Sequence, residues 1–275
     1  MTGKGKLVIL KTMNLPRKII IGNWKLNDTI AEGTVLLQKI HQELKDFSAA
    51  DVVVCPPATH LYPLHREVLG FKNQPKIELG VQNISDYEAG AHTGEISAAM
   101  VAGLAKYSII GHSERRTHYN ETDDQIAKKI AIALRYDLVP ILCVGENQQQ
   151  RHDGKAHQVV LDELNADLAD VTAAEIKQSI IAYEPLWAIG TGTFAKPAEI
   201  EEMMRLIRNS LAQRFGKAAS MECRIIYGGS VDGENARAIL QLQGCDGVLV
   251  GGASIKPREF SRIVMATEPQ GGISV

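Results

Sequence analysis

A single closed (β/α)8 barrel of the α/β class is the architecture implied by this 275-residue chain. Three features point to it. Eight short runs rich in Ile and Val recur along the chain, each about five or six residues long, the usual length of a strand. The runs are apolar throughout rather than alternating, which marks strands buried on both faces of a parallel sheet. Between them lie longer stretches with helical apolar spacing. Eight such units in about 250 residues fit one closed parallel barrel, and the chain shows no second compositional block. An open doubly wound sheet is the alternative arrangement of the same units.

In chain order, the first strand is expected over residues 18–23. A helix follows over 29–44, with Ile30, Val35, Leu37, Ile40 and Leu44 on helical spacings. Strands two, three and four are expected over 51–55, 77–82 and 107–112. A helix over 123–136 places Ile126, Ile130, Ala133 and Leu134 on one face, and strand five follows over 139–144. The helix over 157–168 uses Val160, Leu161, Leu164 and Leu168. Strand six is expected over 180–184. The helix over 198–215 is the longest and carries Ile200, Met203, Met204, Ile207, Leu211 and Phe215. Strand seven is expected over 224–228. Asp232 has the side chain of an N-cap for a helix running through Ala236 to Leu240, and strand eight is expected over 247–251.

Apolar residues make up 45% and charged residues 23% of the chain, so a core can form without disulfides or metals. The formal net charge is −2. No global basic field therefore draws the protein to nucleic acid or to anionic lipid, and an anionic ligand must be held by local groups. Cys55, Cys143, Cys223 and Cys245 form no C-x-x-C pair and sit in or beside apolar runs. They read as reduced, buried small residues, in keeping with a cytoplasmic location. No Cys/His spacing supports a metal site. No apolar run approaches the roughly 18 to 20 residues that span a bilayer. Residues 1–12 lack the pattern of a signal or transit peptide. They are expected to be a flexible extension or a start assigned upstream of Met13, with residues 13–275 forming the single barrel domain.

In a barrel of this kind chemistry gathers at the C-terminal ends of the strands. Strand one ends in Gly22-Asn23-Trp24-Lys25, which offers a fixed ammonium. Strand four ends in Gly111-His112-Ser113-Glu114-Arg115-Arg116. There the imidazole opens a short helix, whose N-terminus disfavours a cation and so keeps the ring neutral. Strand six ends in Tyr183-Glu184-Pro185-Leu186-Trp187-Ala188-Ile189-Gly190-Thr191-Gly192. This is a carboxylate followed by an apolar segment between Pro and Gly hinges, the composition of a lid. Strands seven and eight end in Tyr227-Gly228-Gly229-Ser230 and Gly251-Gly252-Ala253-Ser254, turns whose amides can approach a phosphate. Singly, each feature has a plain structural reading: a surface lysine, a satisfied histidine, a tight turn. Together they supply a base, an electrophile, a cation and an anion cradle.

These five motifs, in this order over about residues 17–263, resemble the triosephosphate isomerase family, whose fold is the TIM barrel. The resemblance implies an aldose–ketose isomerase acting on a small phosphorylated sugar, with no cofactor and no metal. It implies that Glu184 is the base and His112 the neutral electrophile. Asn23 and Lys25 fall on the pair that binds substrate and stabilises the enediolate. Glu114 falls on a supporting carboxylate, and Gly190, Ser230, Gly251 and Gly252 on the phosphate-gripping positions. It also implies a homodimer. Thr93, in a long loop after strand three, would reach the partner's site, with Gln82, Asn83 and Arg116 at or beside the interface. Departures from the family pattern lie in the lid at Thr193, in the polar stretch 147–151 away from the reacting centre, and at His92. Related isomerases of four-carbon ketose phosphates, and a non-catalytic barrel used for binding, are the competing readings.

Overall fold

The structure, a computed structural model, describes residues 16–189 and 194–269. The expected extension 1–12 and the expected phosphate-gripping Gly190 lie outside the described residues. The eight apolar runs are eight strands: β1 (Ile19–Asn23), β2 (Asp51–Cys55), β3 (Ile77–Val81), β4 (Tyr107–Ile110), β5 (Val139–Val144), β6 (Ile180–Tyr183), β7 (Arg224–Tyr227) and β8 (Gly247–Val250). Every pairing is parallel and joins neighbours in sequence, and β1 also pairs with β8, so the sheet closes. The closed order removes the doubly wound alternative.

The helices outside the barrel are α1 (Ile30–Glu43), α2 (Leu61–Gly70), α3 (Ala98–Val101), α4 (Ser113–His118), α5 (Asp123–Arg135), α6 (Gln148–His152), α7 (Ala156–Asp167), α8 (Pro197–Phe215), α9 (Lys217–Glu222), α10 (Ala236–Leu240) and α11 (Pro257–Met265). Successive strand residues point to opposite faces. Ile19, Ile21, Val53, Ile109, Ile141 and Leu249 therefore fill the barrel interior, while Ile20, Val52, Val54 and Leu142 pack outward against the helices. With both faces buried, no polar alternation is selected, which accounts for the continuous apolar runs.

Three expectations need correction. First, strand four ends at Ile110 rather than His112, because Gly111 takes φ 69° and turns the chain out of the sheet. Strand six ends at Tyr183 rather than Glu184, since Pro185 has no N–H to continue the ladder. Second, Ile30 and Val35 are exposed, while Leu36, Leu37, Ile40 and Leu44 are buried. Val35 lies two residues, about 200°, around the helix from Leu37. Third, Asn235 rather than Asp232 occupies the N-cap of α10. A hydrogen-bonded turn comes first, in which Asp232 Oδ1 accepts from the amides of Glu234 and Asn235, each at 2.9 Å.

Candidate active site

The strand ends converge on one cleft of about 250 Å³ at the C-terminal mouth of the barrel. Asn23, Lys25, His112, Glu184, Ser230, Gly251 and Gly252 all line it. Its walls are completed by Ile189, Phe194 and Leu249 and by the backbone of Gly228 and Gly229.

At the end of β1, Lys25 has φ 54°, a left-handed conformation that disfavours side chains other than Gly. Its neighbours hold it there. Asn23 Oδ1 accepts from the Lys25 amide at 3.1 Å. Gln82 Nε2 donates to the carbonyls of Lys25 and Cys55, each at 2.9 Å. Lys25 Nζ lies 2.6 Å from Glu114 Oε1. Burial acts to raise the Glu114 pKa, but the Lys25 hydrogen bond and the nearby charges outweigh it and hold the carboxyl below its usual value. The ionised Glu114 thus pairs with the ammonium and fixes its direction at the mouth of the cleft.

His112 is the N-cap of α4 and is 6% exposed. Its Nδ1 accepts from the Glu114 amide at 3.2 Å. A ring nitrogen that accepts a backbone N–H carries a lone pair, so the ring proton of this tautomer sits on Nε2. That nitrogen lies 3.2 Å from Glu184 Oε1. The other oxygen of Glu184, Oε2, accepts from the Ser113 amide at 3.0 Å.

Glu184 is 2% exposed and sits between two glycines. A Cβ on Gly145 would fall 1.8 Å from the Glu184 carbonyl oxygen, and one on Gly228 would fall 2.8 Å from Glu184 Cγ. Sequence reasoning did not give Gly145 or Ser113 a role. The requirement for glycine at 145 comes from a neighbouring strand and leaves no local signal. Cys143 also lies beside Glu184, and burial, reinforced by that carboxylate, pushes its thiol well above the usual value.

On the side expected to hold phosphate, Gly251 and Gly252 lead into a 3-10 turn (Gly252–Ile255), and no side chain covers Gly252. Ser230 Oγ donates to the Ala188 carbonyl at 2.5 Å, tying the β7 turn to the segment after Glu184. The base of that segment is anchored by Glu146, which is 0% exposed. Glu146 accepts from Tyr183 Oη at 3.1 Å, Trp187 Nε1 at 2.9 Å and Arg151 Nη1 at 2.9 Å. The polar stretch 147–151 is off the reacting centre, as expected, yet its Arg151 braces the segment's first turn.

Beside the cleft is a second groove of about 390 Å³, lined by Gln82, Asn83, Gly94, Glu95, Glu114 and Tyr119 among others. Thr93 is exposed at the tip of the neighbouring loop, where His92 stacks on Tyr87 at 3.7 Å between ring centroids. Asn83 Oδ1 accepts from Lys129 Nζ at 2.8 Å. Arg116, expected at or beside an interface, is engaged inside its own chain. It reaches Asp123 at 2.6 Å and Asp167 at 2.5 Å, and donates to the carbonyls of Gly111 and Cys143. Two carboxylates and two carbonyls hold its planar fork beneath the site. Among the described residues, no cluster of three or more His, Cys, Asp or Glu could hold a metal ion. No helix there is long and apolar enough to cross a membrane.

Comparison with known proteins agrees with this geometry. The family model for triosephosphate isomerase matches residues 18–267. Proteins named triosephosphate isomerase from Dictyoglomus turgidum and Caldanaerobacter subterraneus subsp. tengcongensis are 41% and 43% identical over 249 residues, covering 90% of this chain and 98% of each relative. The protein of that name from Nitrosococcus oceani is 43% identical over 251 residues, with the same coverage. The chain therefore belongs to the triosephosphate isomerase family.

Proposed function

We propose that the chain interconverts dihydroxyacetone phosphate and D-glyceraldehyde 3-phosphate, a step of glycolysis and gluconeogenesis, through an enediolate. The observation that carries this reading is the meeting of Glu184, His112, Lys25 and the Gly251–Gly252 turn around one cleft. Substrate phosphate lies against the glycine amides and the Lys25 ammonium. His112 Nε2–H and Lys25 polarise the carbonyl oxygen. Glu184 leaves the Ser113 amide and takes the proton from the carbon beside the carbonyl. The resulting enediolate is held by His112, Lys25 and Asn23. His112 then moves a proton between the two oxygens, and Glu184 returns its proton to the neighbouring carbon. The roles follow the acid–base pattern established for this family. Substrate and product are isomers, so the step needs no co-reactant. The segment 185–196 acts as a lid that excludes water and limits loss of phosphate from the enediolate.

The working form is a homodimer. Leu26 is 97% exposed and Tyr119 69% exposed, and both line the groove beside the active cleft. The loop carrying Thr93 from a second copy is the occupant we assign to that groove, bracing Asn23 and Lys25, with Gln82 and Asn83 at the contact. Four free, buried cysteines support residence in the reducing cytoplasm.

An isomerase assay with three- and four-carbon sugar phosphates side by side tests the substrate. Turnover of glyceraldehyde 3-phosphate is expected, with the four-carbon compound a poor substrate. Glu184→Asp tests the base. Retracting the carboxylate by about 1 Å is expected to lower kcat by about a hundredfold, and wild-type turnover in that variant would remove Glu184 from the mechanism.

A further inference from the structure

The groups behind the cleft carry an inference about Glu163, on α7. Glu163 Oε2 accepts from the Gly145 amide at 2.8 Å. Gly145 opens the turn after β5 and lies flat against the peptide of Glu184, with no room for even a methyl group between them. The Glu184 amide in turn donates to the Val144 carbonyl at 2.8 Å. The position of the proposed base along the barrel axis is therefore set by the β5 turn, and that turn is held from behind by a carboxylate on a helix. Arg116 clasps the end of β5 through the Cys143 carbonyl at 3.1 Å and the turn before His112 through the Gly111 carbonyl at 2.9 Å. Asp123 and Asp167 hold the Arg116 guanidinium in place.

We propose that Glu163 is a positioning residue for the isomerisation: its acceptor oxygen on the Gly145 amide holds the β5 turn, and hence Glu184, at the height the proton transfer needs. The inference rests on the reading of Glu184 as base. It assigns Glu163 no contact with substrate. A displaced base still admits substrate but meets its carbon proton at the wrong distance. The interaction belongs to the transition state, so its loss lowers kcat and spares KM.

Two variants separate the acceptor from the carboxyl. Glu163→Gln keeps an oxygen at the same reach and removes the ionisable group. Glu163→Asp keeps the carboxyl and withdraws the oxygen by about 1 Å, a displacement that can cost about a hundredfold when it reaches the reacting groups. Steady-state kinetics with glyceraldehyde 3-phosphate are expected to show Glu163→Gln within about threefold of wild type in kcat. In Glu163→Asp, kcat is expected to fall about tenfold with KM within about twofold, because the turn transmits part of that displacement. Thermal melts alongside the kinetics establish that both variants are folded. The proposal is overturned by the reverse order of the two variants, by wild-type kcat in Glu163→Asp, or by a loss confined to KM. Failure of the base reading is seen separately, as wild-type turnover in Glu184→Asp, whatever the Glu163 variants do.

Discussion

At the scale of single residues, the site depends as much on atoms that are missing as on those present. Gly228 leaves space for the Glu184 side chain. The Cβ of Gly228→Ala would stand 2.8 Å from Glu184 Cγ, closer than real carbon atoms approach, so the carboxylate must move. Steady-state kinetics are expected to show kcat down by about ten- to a hundredfold with KM little changed, and an unchanged kcat would mean that the base has slack. At Gly145 the obstacle is backbone, not side chain. Gly145→Ala is expected to destabilise the fold by about 3 kcal/mol, the upper part of the overpacking range, read as a lowered urea midpoint. The left-handed Lys25 is a residue-scale strain that Gln82 and Asn23 together maintain.

At the scale of elements, helix ends and buried charges set stability. α5 begins with Thr122, whose side chain accepts from the Gln125 amide while Gln125 reaches back to the Thr122 amide. Thr122→Ala is expected to cost about 1 kcal/mol, with kcat unchanged, as measured by urea unfolding and steady-state assay. On α7, burial pushes the Glu163 carboxyl up to about 7, against the pull of Arg116 and the Gly145 amide, with Asp123 and Glu184 adding to the rise. Asp167 belongs to the same cluster and faces the same guanidinium. The folded state thus binds a proton that the unfolded chain has already lost above its ordinary carboxylate range. This contribution to stability is full below about pH 4 and fades as pH rises through about 7. Glu163→Gln removes the titrating group. Its melting temperature relative to wild type is therefore expected to be higher at pH 8 than at pH 5, and an equal difference at both pH values would contradict the assignment.

At the scale of the whole molecule, closure of the sheet brings Asn23 and Lys25 of the first strand beside Gly251 and Gly252 of the last. The groove beside them is lined by exposed apolar groups that a second copy would cover. A variant in which residues 89–94 are replaced by a short Gly-Ser link is expected to sediment as a monomer with lowered kcat, because in the proposed dimer the brace on Lys25 comes from the partner. A dimer that survives the replacement would show that the loop tip is not the contact.

Much of this was legible in the amino-acid order. The eight apolar runs and the helices over 29–44, 123–136, 157–168 and 198–215 are written in periodicity, because a strand buried on two faces and a helix with one apolar stripe each leave a local pattern. The polar residues at the strand ends were legible as candidates, and their proposed roles came from the family resemblance, since singly each has a plain structural reading. Val35 lies off the buried face because apolar character does not say which way a helix turns its surface, whereas Ile30 shares the face of Leu37 and is exposed because it opens the helix. The supporting roles of Gly145, Ser113, Glu163 and Arg116 were silent for another reason. Each acts through a neighbour far off in sequence, Glu184 pressing on Gly145 and Asp167 drawing Arg116 inward. Local chain order alone determined the elements and the candidate residues at their ends, for these depend on short-range stereochemistry and on residue type. Only the closed barrel decided their distances, their burial and their supports, because those are set by contacts between strands that the sequence keeps apart.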